Sequence, residues 1–199
     1  MAVVPDASLS ERTSPFYLHN QAISKEWEQF VLQRGGEIKG KYSAWAYKLI
    51  AKIHGVFVWS IIVQKSTYTH RSLIIPPHKN IYEGIELSTY LPRHVATEFL
   101  IRKSRFTDRF MWRKKTHKMH PSYVFIAEEP HPFITELMAK ILQDPMDRGS
   151  FFKATCKNGQ LWIKLIKYKG AMDWVQEILR LDEDAWGVSQ TIYRTGYKT

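Results

Sequence analysis

The sequence predicts an α+β fold: an antiparallel β-sheet, built from a meander plus a C-terminal hairpin, with about three helices packed on one face. Three observations lead there. Apolar residues recur at helical spacing in three separated segments. Between the first two, apolar β-branched runs succeed one another with only turn residues in between, so strands come in antiparallel runs rather than alternating with helices. Near the C-terminus, Asn158–Gly159 separates two further runs, and Asn-Gly is the strongest short hairpin signal because both residues tolerate positive φ.

Residues 1–15 (MAVVPDASLSERTSP) are polar, contain Pro and Ser, and predict a flexible tail without the basic and apolar regions of a secretory signal. Ser24–Arg34 predicts the first helix: Trp27, Phe30 and Val31 share a face, Ser24 can cap the start, and Gly35–Gly36 ends it. Leu49, Ala51 and Ile53 then alternate with Lys48, Lys52 and His54. A second run, Val56–Val63, follows the His54–Gly55 turn signal. Lys65–Ser66 separates it from a third, Thr67–Ile75, which Pro76–Pro77 closes. These three form the predicted meander.

Pro76–Pro92 predicts a loop with a short strand near Ile85–Tyr90, and Glu98–Arg102 and Ser122–Ala127 predict two more strands. Pro132 opens a helix through Leu142 with an apolar stripe of Phe133, Ile134, Leu137, Met138 and Ile141, and Asp144–Pro145 is its predicted stop. Phe151–Lys157 and Gln160–Lys169 flank the Asn-Gly turn. A last helix over Ala171–Leu181 turns Trp174, Val175, Ile178 and Leu179 inward. With no internal repeat and no break in composition, residues 16–186 read as one domain, followed by a tail over 187–199.

Composition narrows the class. Of 199 residues, 44% are hydrophobic and 24% charged, enough apolar material for a core and too little bias for disorder. The longest apolar run, Gly55–Val63, is interrupted by Ser60 and falls far short of the roughly 20 residues of a bilayer span, so no transmembrane helix is expected. A single cysteine, Cys156, forms neither an intramolecular disulfide nor a cysteine-based zinc site, and a cytoplasmic setting is the expectation.

Charge carries the functional reading. The formal net charge is +10, and it is unevenly placed: residues 93–118 hold nine cations against Glu98 and Asp108, a net +7, whereas residues 119–199 hold ten of each sign. Within that window Arg102, Lys103, Arg105, Arg109, Arg113, Lys114, Lys115 and Lys118 are interleaved with Phe106, Phe110, Met111 and Trp112. Cations neutralise phosphates and aromatics stack on unpaired bases, so the segment predicts a non-enzymatic module that captures a polyanion, nucleic acid first, with Trp112 in contact. The same composition suits a scaffold or adaptor docking on protein or anionic membrane surfaces. It also suits a connection pinned by its aromatics with solvated cations.

Catalytic patterns are sparse. His70 and Arg71 could serve as a base and an anion clamp, but no carboxylate or nucleophile adjoins them. His117 and His120, three apart, lack the four-residue spacing and intervening Glu of a helical zinc pair. A hydrolase-like enzyme using either pair is the remaining alternative. Asp182, Glu183 and Asp184 read as a solvated helix end, and Cys156 as a core thiol. No glycine-rich phosphate motif occurs, and neither a cofactor nor a metal is predicted.

Overall fold

The computed structural model describes residues 2–70, 78–92, 96–109, 116–128, 132–167 and 169–181. Ten strands form one sheet: β1 (Val3–Pro5), β2 (Glu37–Tyr42), β3 (Ala46–His54), β4 (Val58–His70), β5 (His78–Tyr90), β6 (Phe99–Lys103), β7 (Thr116–His120), β8 (Tyr123–Ala127), β9 (Phe151–Lys157) and β10 (Gln160–Ile166). Their order across the sheet is β1-β2-β3-β4-β5-β10-β9-β6-β8-β7. Every neighbouring pair is antiparallel except β1 with β2. Three helices, α1 (Pro15–Leu32), α2 (Pro132–Asp147) and α3 (171–181), pack against the sheet, giving the α+β architecture the sequence predicts.

Strand register explains why the sheet has one greasy side. Ile38, Ala51, Ile61, Leu87, Ile163, Ala154, Ile101 and Phe125 are successive cross-strand partners from β2 to β8, and all eight are buried. Because side chains alternate along a strand, this row fixes one face as the core. The helices close it with Trp27, Phe30 and Val31 of α1, Ile134, Met138 and Leu142 of α2, and Trp174, Val175 and Ile178 of α3. Buried Asn20 of α1 ties helix to sheet: its amide donates to the Ser43 and Ala44 carbonyls, and its oxygen accepts from Lys65 Nζ at 3.1 Å.

Several boundaries differ from the sequence expectations, each for a physical reason. The first helix begins at Pro15, not Ser24; Ser14 Oγ accepts the Phe16 N–H, Pro15 takes the first turn, and Ser24 lies buried mid-helix. Its end is the predicted one: Gly36 N–H reaches the Val31 carbonyl and Gly35 the Leu32 carbonyl, with Gly35 at φ 66°. Within the stretch read as a tail, Val3–Pro5 pair in parallel with Gly40–Tyr42, and Asp6 N–H continues the ladder to the Tyr42 carbonyl.

The predicted break at Lys65–Ser66 is absent. β4 runs unbroken through both residues because Lys65 finds Asn20 on the covered face. Similarly, β5 spans much of the segment read as loop; its carboxylates are satisfied within the sheet, Glu83 by the Tyr47 hydroxyl of β3, two strands away, and Glu86 by its cross-strand partner Lys164. Arg71 and the 71–77 connection lie outside the described residues.

α2 runs past its predicted stop. Pro145 sits inside it and leaves the Ile141 carbonyl without its N–H partner, and the Trp174 indole N–H of α3 donates to that carbonyl at 2.6 Å. The helix ends instead at Gly149, φ 66°, where Ser150 N–H returns to the Pro145 carbonyl. Asn158 and Gly159 both have positive φ and join β9 to β10 as the sequence predicts. No helix among the described residues is long and apolar enough to cross a membrane.

Candidate functional site

Opposite the helices lies a face of different chemistry. One residue along from the buried row, Lys39, Ile50, Ile62, Glu86, Lys164, Lys153, Arg102 and Val124 are successive cross-strand partners, none of them buried. Near its centre, Lys164 of β10, Lys153 of β9 and Arg102 of β6 stand directly opposite one another on adjacent strands. Like charges in that position repel, and a sheet keeps them close because strands are only about 4.8 Å apart.

The two outer cations have carboxylate partners. Lys164 Nζ contacts Glu86 Oε1 at 2.6 Å; burial opposes its charge, but the bond to Glu86 prevails and raises the lysine above its ordinary range. Arg102 makes a two-pronged pair with Asp108, at 2.8 and 2.6 Å, and donates to the Lys103 carbonyl at 3.1 Å. The Asp108 carboxyl is held down to about 2 by the Arg102 bond, against burial and with help from the Arg105 backbone N–H and both cations. Lys153, between them, has no carboxylate in ion-pair range among the described residues.

Aromatic rings crowd the same spot. Tyr82, Trp162 and Phe152 have ring centroids 5.4, 5.9 and 6.0 Å from Lys164 Nζ. Phe152 reaches this side through a β-bulge. Lys164 pairs with Lys153 but Leu165 pairs with Phe151, so Phe151 turns into the core and Phe152 is the extra residue, 51% exposed. Beyond this cluster the face carries exposed Lys39, Lys41, Lys48, Lys52 and Lys157.

The basic segment predicted from sequence divides. Arg102 ends up on the helix-free face and is held by Asp108, whereas Lys103, the next residue, alternates to the other side at the sheet margin and is exposed. Arg105 is exposed beyond β6, beside Phe106, which is 71% exposed. Arg109 ends a short 3-10 turn and Lys118 lies in β7 opposite Val124. Trp112, Arg113, Lys114 and Lys115 lie outside the described residues.

Of the two histidine candidates, His70 is placed in the sheet while its neighbour Arg71 lies outside the described residues. His70 closes β4 opposite His78. His117 and His120 sit in strand β7, not on the helix that would stack residues three apart. His120 has a structural role: Ser122 N–H donates to Nδ1, which leaves the proton on Nε2, facing Asp147 Oδ1 at 3.1 Å. Among the described residues, no group of three or more His, Cys, Asp or Glu side chains could hold a metal ion. Cys156 is buried in β9, and burial first, then the Glu98 charge, raises its thiol pKa and disfavours the nucleophilic thiolate.

On the covered side, a cavity of about 300 Å³ lies between α1, the sheet and the start of α3, lined by Ile23, Trp27, Val63 and Met172 with Glu26 and Glu83. Glu83 accepts a 2.8 Å bond from Tyr47, a phenol kept protonated by burial and by that carboxylate.

Sequence reasoning missed Lys153, Lys157, Trp162 and Lys164, though a signal was present. A two-residue Asn158–Gly159 turn sets Lys157 opposite Gln160, and counting outward sets Thr155 opposite Trp162 and Lys153 opposite Lys164. No protein-family model, curated protein or solved structure matches this chain.

Proposed function

We propose that this protein is a non-enzymatic nucleic-acid-binding module, in which the helix-free sheet face and the basic segment Arg102–Lys118 together capture the phosphate backbone. The observation that carries the reading is the in-register row Lys164–Lys153–Arg102, whose middle cation has no carboxylate in ion-pair range among the described residues. A polyphosphate laid across that row would relieve the repulsion between its members. Exposed Lys39, Lys48, Lys52 and Lys157 add cations to the face, outnumbering exposed Glu37 opposite Lys52, while Lys103 and Arg105 add two more past the sheet margin.

The test is a fluorescence-anisotropy titration of labelled oligonucleotides at two salt concentrations, with Lys153→Glu and the double variant Lys103→Glu/Arg105→Glu. Backbone capture predicts affinity that falls steeply with salt, by about 10³-fold or more between 50 and 200 mM if six or more phosphates are engaged. Each variant should weaken binding and lower the log–log salt slope by about one unit for each phosphate contact removed. Absence of binding, or affinity indifferent to salt and to both charge reversals, overturns the reading. Co-sedimentation with anionic but not neutral vesicles, without oligonucleotide binding, would replace it with a membrane-surface role.

A further inference from the structure

We infer that the helix-free face selects single-stranded nucleic acid, with a base stacked on Phe152 against the Trp162 and Tyr82 rings and the adjoining phosphate at Lys153. This rests on the nucleic-acid reading above and names the form of ligand that the aromatic cluster fits. Three features converge within one small area. Phe152 is a half-exposed phenyl ring presented by a bulge, an arrangement that re-aims a side chain. Its ring, with those of Trp162 and Tyr82, lies within 6.0 Å of Lys164 Nζ, so the aromatics form one group. Lys153, the cation with no carboxylate in ion-pair range among the described residues, follows Phe152 directly in the chain and stands opposite Lys164.

The pairing of an exposed ring with an adjacent unneutralised cation is the unit that sequence-tolerant single-strand binding uses: the ring takes a base face and the cation takes the phosphate. Duplex DNA fits poorly. Its base faces are covered by their neighbours, and the major groove admits a helix or a two-stranded ribbon rather than the broad face of a ten-stranded sheet. Charge complementarity points the same way. Glu86, the carboxylate of the central row, is already engaged by Lys164, so the face offers an anion little repulsion there.

Anisotropy titration of the full chain with a labelled single strand and with the matching duplex tests this, using Phe152→Ala, Phe152→Trp and Lys153→Glu. Stacking predicts a preference for the single strand, a loss of about 5- to 150-fold on that strand for Phe152→Ala, and retention of affinity in Phe152→Trp. Residue 152 is a half-exposed bulge position, and circular dichroism of each variant checks that the fold persists. Equal or tighter duplex binding, or unchanged single-strand affinity in Phe152→Ala alongside a loss in Lys153→Glu, overturns the stacking inference while leaving nucleic-acid binding in place. Absence of binding to either form overturns both.

Discussion

Replacing Trp174 with Phe probes an arrangement in which one helix repairs another. Pro145 has no N–H, so α2 leaves the buried Ile141 carbonyl without its usual partner, and the Trp174 indole supplies the missing donor at 2.6 Å. Removing that donor strands a buried acceptor, which costs about 1–3 kcal/mol, and the smaller ring adds a packing loss of its own. A second substitution separates the two. Pro145→Ala returns a backbone N–H to the position from which it can reach the Ile141 carbonyl, so in that background Trp174→Phe should suffer the packing loss with little of the hydrogen-bond loss. The expected coupling is about 1–2 kcal/mol, read as the difference in urea-unfolding free energy across the four-protein cycle at constant slope. Equal costs of Trp174→Phe in the two backgrounds, within about 0.5 kcal/mol, would refute the claim that the indole compensates for the proline.

Asp108→Asn should destabilise the protein by about 2 kcal/mol at neutral pH, since the carboxyl is held down to about 2 by Arg102 first. A depressed carboxylate stabilises the fold above its ordinary pKa. The gap to the parent should therefore narrow as the pH falls from about 4 to about 2, and identical denaturation midpoints at neutral pH would count against it. Lys153→Met should raise stability by about 0.2–1 kcal/mol by removing the repulsion from Lys164 and Arg102, while weakening oligonucleotide binding; a stability loss would contradict the like-charge account. Gly159→Ala should cost about 1–2 kcal/mol in a thermal or urea melt. A Cβ there meets nothing closer than the Leu91 carbonyl at 3.6 Å, so the penalty comes from φ 76° rather than from crowding. Cys156 should react with a thiol reagent at the rate of unfolding, not at that of an exposed thiol, because it is buried and its pKa is raised.

How much of this was legible in the sequence depended on whether a residue's partner is local. The Asn158–Gly159 turn and the inward set Trp174, Val175, Ile178 and Leu179 depend on spacing within one element, and both appear where predicted. The second half of β5 is the predicted strand near Ile85–Tyr90, whereas its first half reads as loop until Tyr47, 36 residues away, is brought beside Glu83. The α2 stop at Pro145 misled for the same reason: its remedy, Trp174, comes from another helix. For the candidate site, summing charge by window located the Arg102–Lys118 segment but erased residues 119–199, where ten cations offset ten carboxylates. Strand alternation separates what the sum merged: Lys153, Lys157 and Lys164 share one face with Arg102. Arg102's own partner, Asp108, lies six residues on and meets it only once β6 has ended.

The sheet order has a consequence for how the chain assembles. β5 and β6 are consecutive in sequence, yet β10 and β9 stand between them, so the first five strands and the β6–β8 group share no ladder of their own. The hairpin Phe151–Ile166 is the keystone, pairing with β5 through β10 and with β6 through β9. During synthesis both groups must wait with an unpaired edge until these residues emerge, and such edges invite pairing with other chains. The joining step closes loops as long as that between Glu86 and Lys164, which makes it a candidate for the slow phase of folding.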